Sequence, residues 1–223
     1  MMKSKKIFIV GAGEFAEIAY EYFTHDSEYE VVGFCVNRAY INENVKFGLP
    51  VVPYEEIEKQ FPAEKYMAFV GIPASDLNRL RTKFYNDLKN MGYEFATYIS
   101  SRAFVWRNAE IGENTFIFED NTVQPFVKIG NNCILWSGNH IGHRTVIQDN
   151  CFVTSHAVIS GYCNIGSGSF IGVNATLNDN ITVAENCLIG SGSLIVKNTE
   201  PEKIYVGNPA RAVPGKSSFS AGI

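Results

Sequence analysis

Three histidines lie close together in the second half of the chain, at His140, His143 and His156. An imidazole titrates near neutral pH, so a positioned histidine can remove a proton from an amine or a hydroxyl that attacks an acyl carbon. Imidazoles are also common zinc ligands, but spacings of 3 and 13 residues do not obviously converge on one metal ion. The residue types therefore permit acid–base chemistry, and the elements that carry them must decide which histidine is suited to it.

A six-residue repeat runs through this part of the chain. Stepping by six from Ile99 to Ile195 gives 17 positions, and every one of them is Ile, Val or Leu. A strict period of six fits neither a 3.6-residue helix nor an alternating hairpin strand. It indicates a solenoid in which short flat strands are joined by tight turns, so we predict an all-β parallel β-helix.

Small residues and turn formers accompany each aliphatic residue of the repeat. The position two residues before the aliphatic one is mostly small, and we expect it to point inward as well. Glycines and asparagines near the corners suit the positive φ that tight turns require. Four of the five cysteines occupy the small inward position, so we interpret them as core thiols rather than as redox or metal sites. These four are Cys133, Cys151, Cys163 and Cys187.

The first third of the chain alternates predicted strands with predicted helices, which is typical of a small parallel α/β sheet. The first strand runs into Gly11-Ala12-Gly13-Glu14-Phe15-Ala16, a GxGxxA turn before a helix. Glycines in such a turn let the backbone approach a phosphate at the helix N-terminus. The second strand ends in Val36-Asn37-Arg38, without the acidic residue that a NAD ribose needs.

The small size of this sheet favours a mononucleotide, such as the nucleotide half of a sugar nucleotide. A tight strand–helix turn without a ligand remains the alternative. The expected substrate-binding residues are Gly11, Gly13, Glu14, Phe15, Asn37 and Gly71.

The composition is that of an ordinary soluble protein, with 46% apolar residues, 19% charged residues and a net charge of −4. This charge gives no reason to expect nucleic acid or an anionic membrane as a partner. No apolar run reaches the roughly 18 residues of a membrane span. The apolar stretch after the N-terminal lysines leads into a glycine turn rather than a cleavage site, so we expect a cytoplasmic protein.

The sequence resembles the hexapeptide-repeat sugar acyltransferases, in particular the sialic acid O-acetyltransferase group and the nucleotide-linked 4-amino-sugar N-acetyltransferases. The resemblance covers the chain from Lys6 to about Val213. It implies a Rossmann-like α/β domain at 1–94, a left-handed β-helix at 95–215 and a flexible tail at 216–223. Its clearest motifs are Gly11-Ala12-Gly13, Ile141-Gly142-His143, Ser155-His156-Ala157-Val158-Ile159-Ser160-Gly161, Gly172-Val173-Asn174-Ala175-Thr176 and Val206-Gly207-Asn208-Pro209-Ala210.

The resemblance also implies roles for individual residues. His143 matches the general base that deprotonates the acceptor. Gly161, one coil later, matches the position whose N–H meets the thioester carbonyl. Some relatives place a carboxylate beside the base, whereas here its neighbours are Gly142 and Arg144. An orienting carboxylate would then come from Asp149, Asp120 or another subunit, or a backbone carbonyl would replace it.

Acetyl-CoA is the cosubstrate that the resemblance implies, with no metal. Val173 and Ser191 match positions that contact the pantetheine arm, and Lys197 and Arg211 are candidates for its phosphates. An arm lying between two prisms implies a homotrimer with active sites between subunits.

The function that follows is N-acetylation of a nucleotide-linked amino-deoxy sugar in bacterial surface glycan (lipopolysaccharide or O-antigen) biosynthesis. O-acetylation of a sialic-acid-like sugar or a polysaccharide is the alternative. More remote readings are a zinc-dependent, carbonic-anhydrase-like prism and a non-enzymatic trimeric scaffold. For His140 and His156 a surface or interface role is at least as well supported as a chemical one.

Overall fold

A computed structural model describes residues 3–223, which divide into two compact units. The first unit comprises the chain up to Pro73 together with Arg81–Tyr98, and the second comprises Ala74–Leu80 together with Ile99–Ile223. The predicted division near residue 94 did not anticipate that Ala74–Leu80 belongs to the second unit. Within residues 3–223, no helix has both the length and the apolar character needed to cross a bilayer.

The first unit contains a five-stranded sheet and its helices. The elements are β1 Lys5–Val10, α1 Glu14–His25, β2 Tyr29–Val36, β3 Val45–Lys46, β4 Leu49–Pro53, α2 Ile57–Gln60, β5 Met67–Val70 and α3 Arg79–Asn90, whose first two residues lie in the second unit. The strand order is β3-β4-β2-β1-β5. All neighbouring pairs are parallel except β3 and β4. The sheet is therefore of the α/β type that the alternating pattern predicts.

Helix α3 starts later than the sequence suggests. The apolar pattern predicts a helix from about Ser75, but Asp76, Leu77 and Asn78 have φ values of 55°, 47° and 65°. Three consecutive left-handed residues cannot belong to a right-handed helix, so α3 begins at Arg79. The side chain of Asn78 is buried and donates to the Gly168 carbonyl at 3.0 Å.

The second unit is a parallel β-helix of 17 two-residue strands followed by a hairpin. The strands are β6 Tyr98–Ile99, β7 Phe104–Val105, β8 Glu110–Ile111, β9 Phe116–Ile117, β10 Thr122–Val123, β11 Lys128–Ile129, β12 Ile134–Leu135, β13 His140–Ile141, β14 Val146–Ile147, β15 Phe152–Val153, β16 Val158–Ile159, β17 Asn164–Ile165, β18 Phe170–Ile171, β19 Thr176–Leu177, β20 Thr182–Val183, β21 Leu188–Ile189, β22 Leu194–Ile195, β23 Lys203–Gly207 and β24 Ala210–Ser217. Every third strand joins the same sheet, which produces the three faces of a left-handed prism.

The coil length is 18 residues, as the repeat predicts. Val123 pairs with Ile141, and Ile141 pairs with Ile159. The second residue of each short strand is the aliphatic member of the repeat, and from Ile117 to Ile195 all of these side chains are buried. Ile99 is 39% exposed because it belongs to the first coil, which has a neighbouring coil on one side only.

Polar side chains inside the prism connect each coil to the next. Thr145 donates to the carbonyl of Ser160 at 2.9 Å and accepts from the N–H of Cys163 at 3.2 Å. The Cys151 thiol donates in the same way to the carbonyl of Gly166, 15 residues further on. The small inward position therefore holds residues that fit the interior and also satisfy a turn carbonyl of the next coil.

The corners of the prism depend on left-handed backbone. The second turn residue of each corner, at every sixth position from Asn114 to Gly192, has a φ between 51° and 77°. At one corner these residues are mostly asparagines stacked 18 apart, and Asn132 accepts from Asn114 at 2.7 Å and donates to Asn150 at 2.8 Å. Asparagine and glycine tolerate this conformation best.

The end of the chain differs from the flexible tail expected at 216–223. Strand β24 extends to Ser217 and pairs with β23, and a short 3-10 helix follows at Ser218–Ser220. Ser218 is buried and its hydroxyl donates to the Asn186 carbonyl at 2.6 Å. The Ile223 carbonyl accepts from the N–H of Asp76 at 2.7 Å. These hydrogen bonds fix residues whose polar composition suggests disorder.

Asn132 provides a test of the asparagine ladder. Asn132→Gly keeps a residue that accepts positive φ but removes two buried side-chain hydrogen bonds, so we expect a loss of about 1–3 kcal/mol. This corresponds to a melting temperature about 2–4 °C lower for each kcal/mol. The matched control is Asn180→Gly, at an exposed corner position with φ 61°. Equal thermal shifts for both variants, measured by differential scanning fluorimetry, would show that the ladder adds nothing.

Candidate active site

His143 is the first turn residue of one corner of the prism, between β13 and β14. Its side chain is exposed. The register places a column of residues at this corner, each 18 positions from the next. The column consists of Arg107, Pro125, His143, Gly161, Asp179 and Lys197. Three of the residues proposed from the sequence, His143, Gly161 and Lys197, therefore share one corner.

The imidazole of His143 lies directly against Gly161. A Cβ atom built on Gly161 would be 2.6 Å from Cε1 of the ring, closer than any side chain tolerates. Glycine is thus required here by the space that the imidazole occupies. The Gly161 N–H, which the sequence interpretation assigns to the thioester carbonyl, donates to Oδ1 of Asp179 at 2.9 Å. Binding a substrate oxygen there requires that this hydrogen bond be exchanged.

The side chain that contacts His143 from the preceding coil is Gln124. Its Oε1 accepts from the backbone N–H of His143 at 2.9 Å and lies 3.3 Å from Nδ1 of the ring. The sequence interpretation missed Gln124. Its position 19 residues before His143, next to the same corner one coil earlier, is the signal that identifies it once the coil length is known.

Neither carboxylate considered from the sequence orients His143. Asp149 lies at a different corner, where Oδ1 accepts from the N–H of Asn131 at 2.7 Å. Asp120 lies 3.7 Å from Arg102. A neutral amide therefore occupies the place of the expected carboxylate within this chain.

Bulky residues flank His143 at the second turn position of its corner. Phe126, Arg144 and Tyr162 have φ values of 64°, 58° and 61° or less, in a region that disfavours large side chains. The Arg144 guanidinium lies over the Phe126 ring at 4.5 Å, and the Tyr162 ring meets the imidazole edge to face at 5.1 Å. Both aromatic rings are about half exposed. They form a wall around the imidazole that presents aromatic and cationic surface to a ligand.

The residues expected to contact the pantetheine arm lie on another corner of the prism. Val173 and Ser191 are first turn residues 18 positions apart, and both are exposed. The N–H of Gly192 donates to the Val173 carbonyl at 2.7 Å, which stacks the two turns. One complete face of the prism separates this column from the column of His143. Lys197 and Arg211 are exposed, as a phosphate ligand requires.

In the first unit, the proposed nucleotide residues lie at the carboxyl ends of three adjacent parallel strands. Gly11 follows β1, Asn37 follows β2 and Gly71 follows β5. Gly11 has φ 113°, and a Cβ there would be 2.8 Å from the Gly71 carbonyl oxygen. The backbones of the two loops therefore approach each other as only glycine allows. This edge of a parallel sheet is where ligands of such folds bind.

Asn37 and Phe15 differ in what they offer a ligand. The Oδ1 atom of Asn37 is buried and has no hydrogen-bond partner within the described part of the chain, so it can accept from a ligand donor. Phe15 is only 4% exposed and packs against Phe69. The expectation that Phe15 contacts substrate is therefore wrong for its side chain, which belongs to the core. Glu14 and Gly13 are exposed at the start of α1.

The remaining histidines and the thiols do not form a metal centre. His140 projects from a strand between Thr122 and Val158, and His156 lies at the corner of Val173. Residues 3–223 contain no group of three or more His, Cys, Asp or Glu side chains placed to hold a metal ion. Burial raises the pKa of the Cys163 and Cys187 thiols, which disfavours the nucleophilic thiolate.

The prism matches a known family of repeats. Residues 108–143, 126–161 and 162–197 match the family model described as bacterial transferase hexapeptide (six repeats). No curated protein matches the chain in sequence. The segment 108–197 therefore carries the hexapeptide repeat of that transferase family.

Solved structures share the fold of the chain over almost its whole length. The acetyltransferase domain of PglB from Neisseria gonorrhoeae FA1090, in complex with acetyl coenzyme A, is 23% identical with a TM-score of 0.84, over 94% of this chain and 99% of that one. PerB from Caulobacter crescentus, in complex with CoA and GDP-perosamine, is 20% identical with a TM-score of 0.65, over 93% and 97%. WeeI from Acinetobacter baumannii AYE is 19% identical with a TM-score of 0.62, over 94% and 100%.

The close approach of the Gly11 and Gly71 loops leads to a stability prediction. Gly11→Ala places a methyl group against the Gly71 carbonyl and strains a φ of 113°, so we expect a clearly lower melting temperature. Gly13→Ala meets no atom within 4 Å and is the matched control, with an expected shift near zero. Circular dichroism melting of the two variants compares them. A Gly11→Ala protein as stable as wild type would contradict the described loop geometry.

Proposed function

We propose that this protein is an acetyl-CoA-dependent N-acetyltransferase that acts on a nucleotide-linked amino-deoxy sugar. The observation that carries the proposal is the exposed imidazole of His143, held between Gly161 and Gln124 on a hexapeptide prism. Support comes from the shared fold, since the PglB domain was crystallised with acetyl coenzyme A and PerB with CoA and GDP-perosamine. It also comes from the match of residues 108–197 to a transferase repeat.

His143 acts as the general base in this proposal. The imidazole takes a proton from the acceptor amine while its nitrogen attacks the thioester carbonyl carbon. The new C–N bond forms and the C–S bond breaks, and the proton held by the imidazole passes to the departing CoA sulfur. A covalent acyl-enzyme is not needed because a thioester already has a good leaving group. The buried prism thiols, Cys163 and Cys187 among them, are not available to form one.

The cosubstrate is proposed to lie between two prisms of a homotrimer. His143 and the pair Val173 and Ser191 occupy different corners, separated by a whole face of one prism. A pantetheine arm that contacts both sets is accommodated if neighbouring subunits each supply one corner. Lys197 and Arg211 are then the candidates for the CoA phosphates, and the active sites lie between subunits.

The nucleotide half of the acceptor is proposed to bind the first unit, at the carboxyl ends of β1, β2 and β5. Gly11, Gly13 and Gly71 provide close backbone approach, and the exposed Glu14 lies in the first turn of α1. The unpartnered Oδ1 of Asn37 is suited to a ribose hydroxyl or a base N–H. Phe15 would contribute its backbone N–H alone.

The biological setting follows from the substrates. Acetylated amino sugars carried on nucleotides are building blocks of bacterial surface glycans, such as lipopolysaccharide O-antigen. Acetyl-CoA and nucleotide sugars are both cytoplasmic metabolites, so the reaction is placed in the cytoplasm, without nucleic acid or membrane partners.

One observation favours O-acetylation of a sialic-acid-like or polysaccharide sugar as a second candidate. The residue next to the base is Arg144, and a neutral amide replaces the carboxylate on the other side of the ring. A cation next to the base disfavours an ammonium ion and does not oppose a neutral hydroxyl or an anionic sugar. The same His143 would serve either acceptor.

A substrate panel tests the proposed reaction. Incubation with acetyl-CoA and UDP-, dTDP- and GDP-linked 4-amino sugars should give one product heavier by an acetyl group in mass spectrometry. His143→Ala should lower kcat/KM by about 10²–10⁴, the contribution of a positioned base. His25→Ala, a histidine at the end of α1, is the control and should retain full turnover. Acetylation of a free or sialic-acid-like sugar alone would favour the second candidate, and near-normal turnover by His143→Ala would remove the proposed base.

Gly161→Ala tests whether the space over Gly161 matters for turnover. The added methyl group would be 2.6 Å from Cε1 of His143, so the imidazole must move away from its position. Because a misplacement of about 1 Å can reduce a rate by about 10²-fold, we expect a loss of that order in kcat. Steady-state kinetics at saturating acetyl-CoA provides the measurement. An unchanged kcat would show that the observed ring position is not the active one.

A further inference from the structure

We propose that Gln124 is a positioning residue that holds His143 in the tautomer with its proton on Nδ1, so that the Nε2 lone pair is free to act as the base. This inference rests on the proposed function for its catalytic consequence. Its structural content, the location of one proton on one ring, can be measured independently of turnover.

The orientation of the Gln124 amide follows from the backbone. The N–H of His143 is an obligatory donor, and the Gln124 atom 2.9 Å from it must therefore be the acceptor oxygen. If the amide were turned by 180°, two donors would face each other at hydrogen-bond distance. The backbone thus identifies this atom as Oε1 rather than Nε2.

The protonation of the ring follows from the same oxygen. Oε1 of Gln124 lies 3.3 Å from Nδ1 of His143, and an amide oxygen has no proton to donate. The contact is attractive only if Nδ1 carries the proton, which leaves Nε2 unprotonated in the neutral ring. Free neutral histidine in water favours the opposite tautomer. One glutamine oxygen with two donors therefore selects the minor form of the base.

Other groups restrict the ring without selecting its tautomer. Gly161 lies against it, and the Tyr162 ring meets it at 5.1 Å. The charged groups around this corner are Arg144, Asp179, Arg107 and Lys197, of which Asp179 accepts from the Gly161 N–H. Gln124 provides orientation without adding a negative charge beside the imidazole, unlike the carboxylate that the sequence interpretation expected.

The chain supplies a matched control in Gln148. It occupies the equivalent position before another corner, and its Oε1 accepts from the residue 19 positions later, the hydroxyl of Ser167 at 3.2 Å. Both glutamines thus link adjacent coils through the same atom. Only Gln124 contacts a histidine, so a purely structural role would affect both variants alike.

Nuclear magnetic resonance of protein labelled with ¹⁵N at histidine tests the proton location. In wild type, the His143 resonances, identified by their loss in His143→Ala, should show a protonated Nδ1 and an unprotonated Nε2 at a pH where the ring is neutral. Gln124→Leu should shift the ring towards the Nε2–H tautomer, and Gln148→Leu should not. A proton on Nε2 in wild type, or an unchanged tautomer in Gln124→Leu, would overturn the proposal.

Kinetics tests the consequence. Gln124→Leu should lower kcat/KM by about 10- to 100-fold, with KM for acetyl-CoA nearly unchanged, whereas Gln148→Leu keeps wild-type turnover. Gln124→Glu should restore much of the rate because a carboxylate accepts from both donors. Its pH–rate profile should have an acidic limb at higher pH than wild type, since the added negative charge favours the protonated ring. Equal rate losses for both leucine variants, or no rescue by glutamate, would contradict the positioning role.

The two proposals fail in different ways. If wild type acetylates no sugar of the panel, the proposed function fails, but the tautomer of His143 still decides the role of Gln124. If wild type is active and Gln124→Leu retains both its tautomer and its rate, the function stands and the inference about Gln124 is wrong.

Discussion

The second unit depends on one constraint, the pairing of each residue with the residue 18 positions further along. Backbone hydrogen bonds such as Thr122 N–H to the Asn139 carbonyl repeat this register around the prism. The aliphatic column inside and the polar contacts at the corners both require it, because a shift of one residue would turn every inward side chain outward. His143, Gly161 and Gln124 are brought together by this register and by nothing local to any of them.

The residues in left-handed backbone separate structural corners from the corner of the candidate site. At the asparagine corner, residues such as Asn132 combine low strain with side-chain hydrogen bonds to the next coil. At the corner of His143, Phe126, Arg144 and Tyr162 adopt the same backbone without that compensation. Bulky residues in this conformation add strain that a stable fold alone does not require, and such strain is concentrated at functional sites. The distribution of strain thus agrees with the location of the proposed base.

Much of the prism could be predicted from the sequence because its period is unbroken. The aliphatic residues from Ile117 to Ile195 are buried as expected, and the 18-residue spacing places Gly161 next to His143. Gln124 was not predicted because glutamine is common on surfaces and has no fixed hexad position. Its role depends on a side-chain rotamer, which no spacing rule specifies.

Features outside the repeat were harder to predict for physical reasons. The left-handed run Asp76–Asn78 delays helix α3, although its composition suits a helix. The β3–β4 hairpin has only two residues in its first strand, too few for a period to be visible. Ser218 is fixed by a hydrogen bond to a distant carbonyl, which local composition does not reveal. Phe15 follows the glycine turn as a ligand contact would, but its size places it in the core.

The coil length also determines which changes of length the prism can absorb. Removing or duplicating 18 residues returns every later residue to its own corner, so the columns shorten or lengthen and keep their composition. Removing six residues preserves the aliphatic interior equally well, yet it moves every later residue to the next corner. If the six lay between His143 and Gly161, the imidazole would face a different column although the core was intact. The fold therefore tolerates length changes in units of six, but the arrangement around His143 tolerates them only in units of 18, so natural variation in prism length is expected to follow the larger unit.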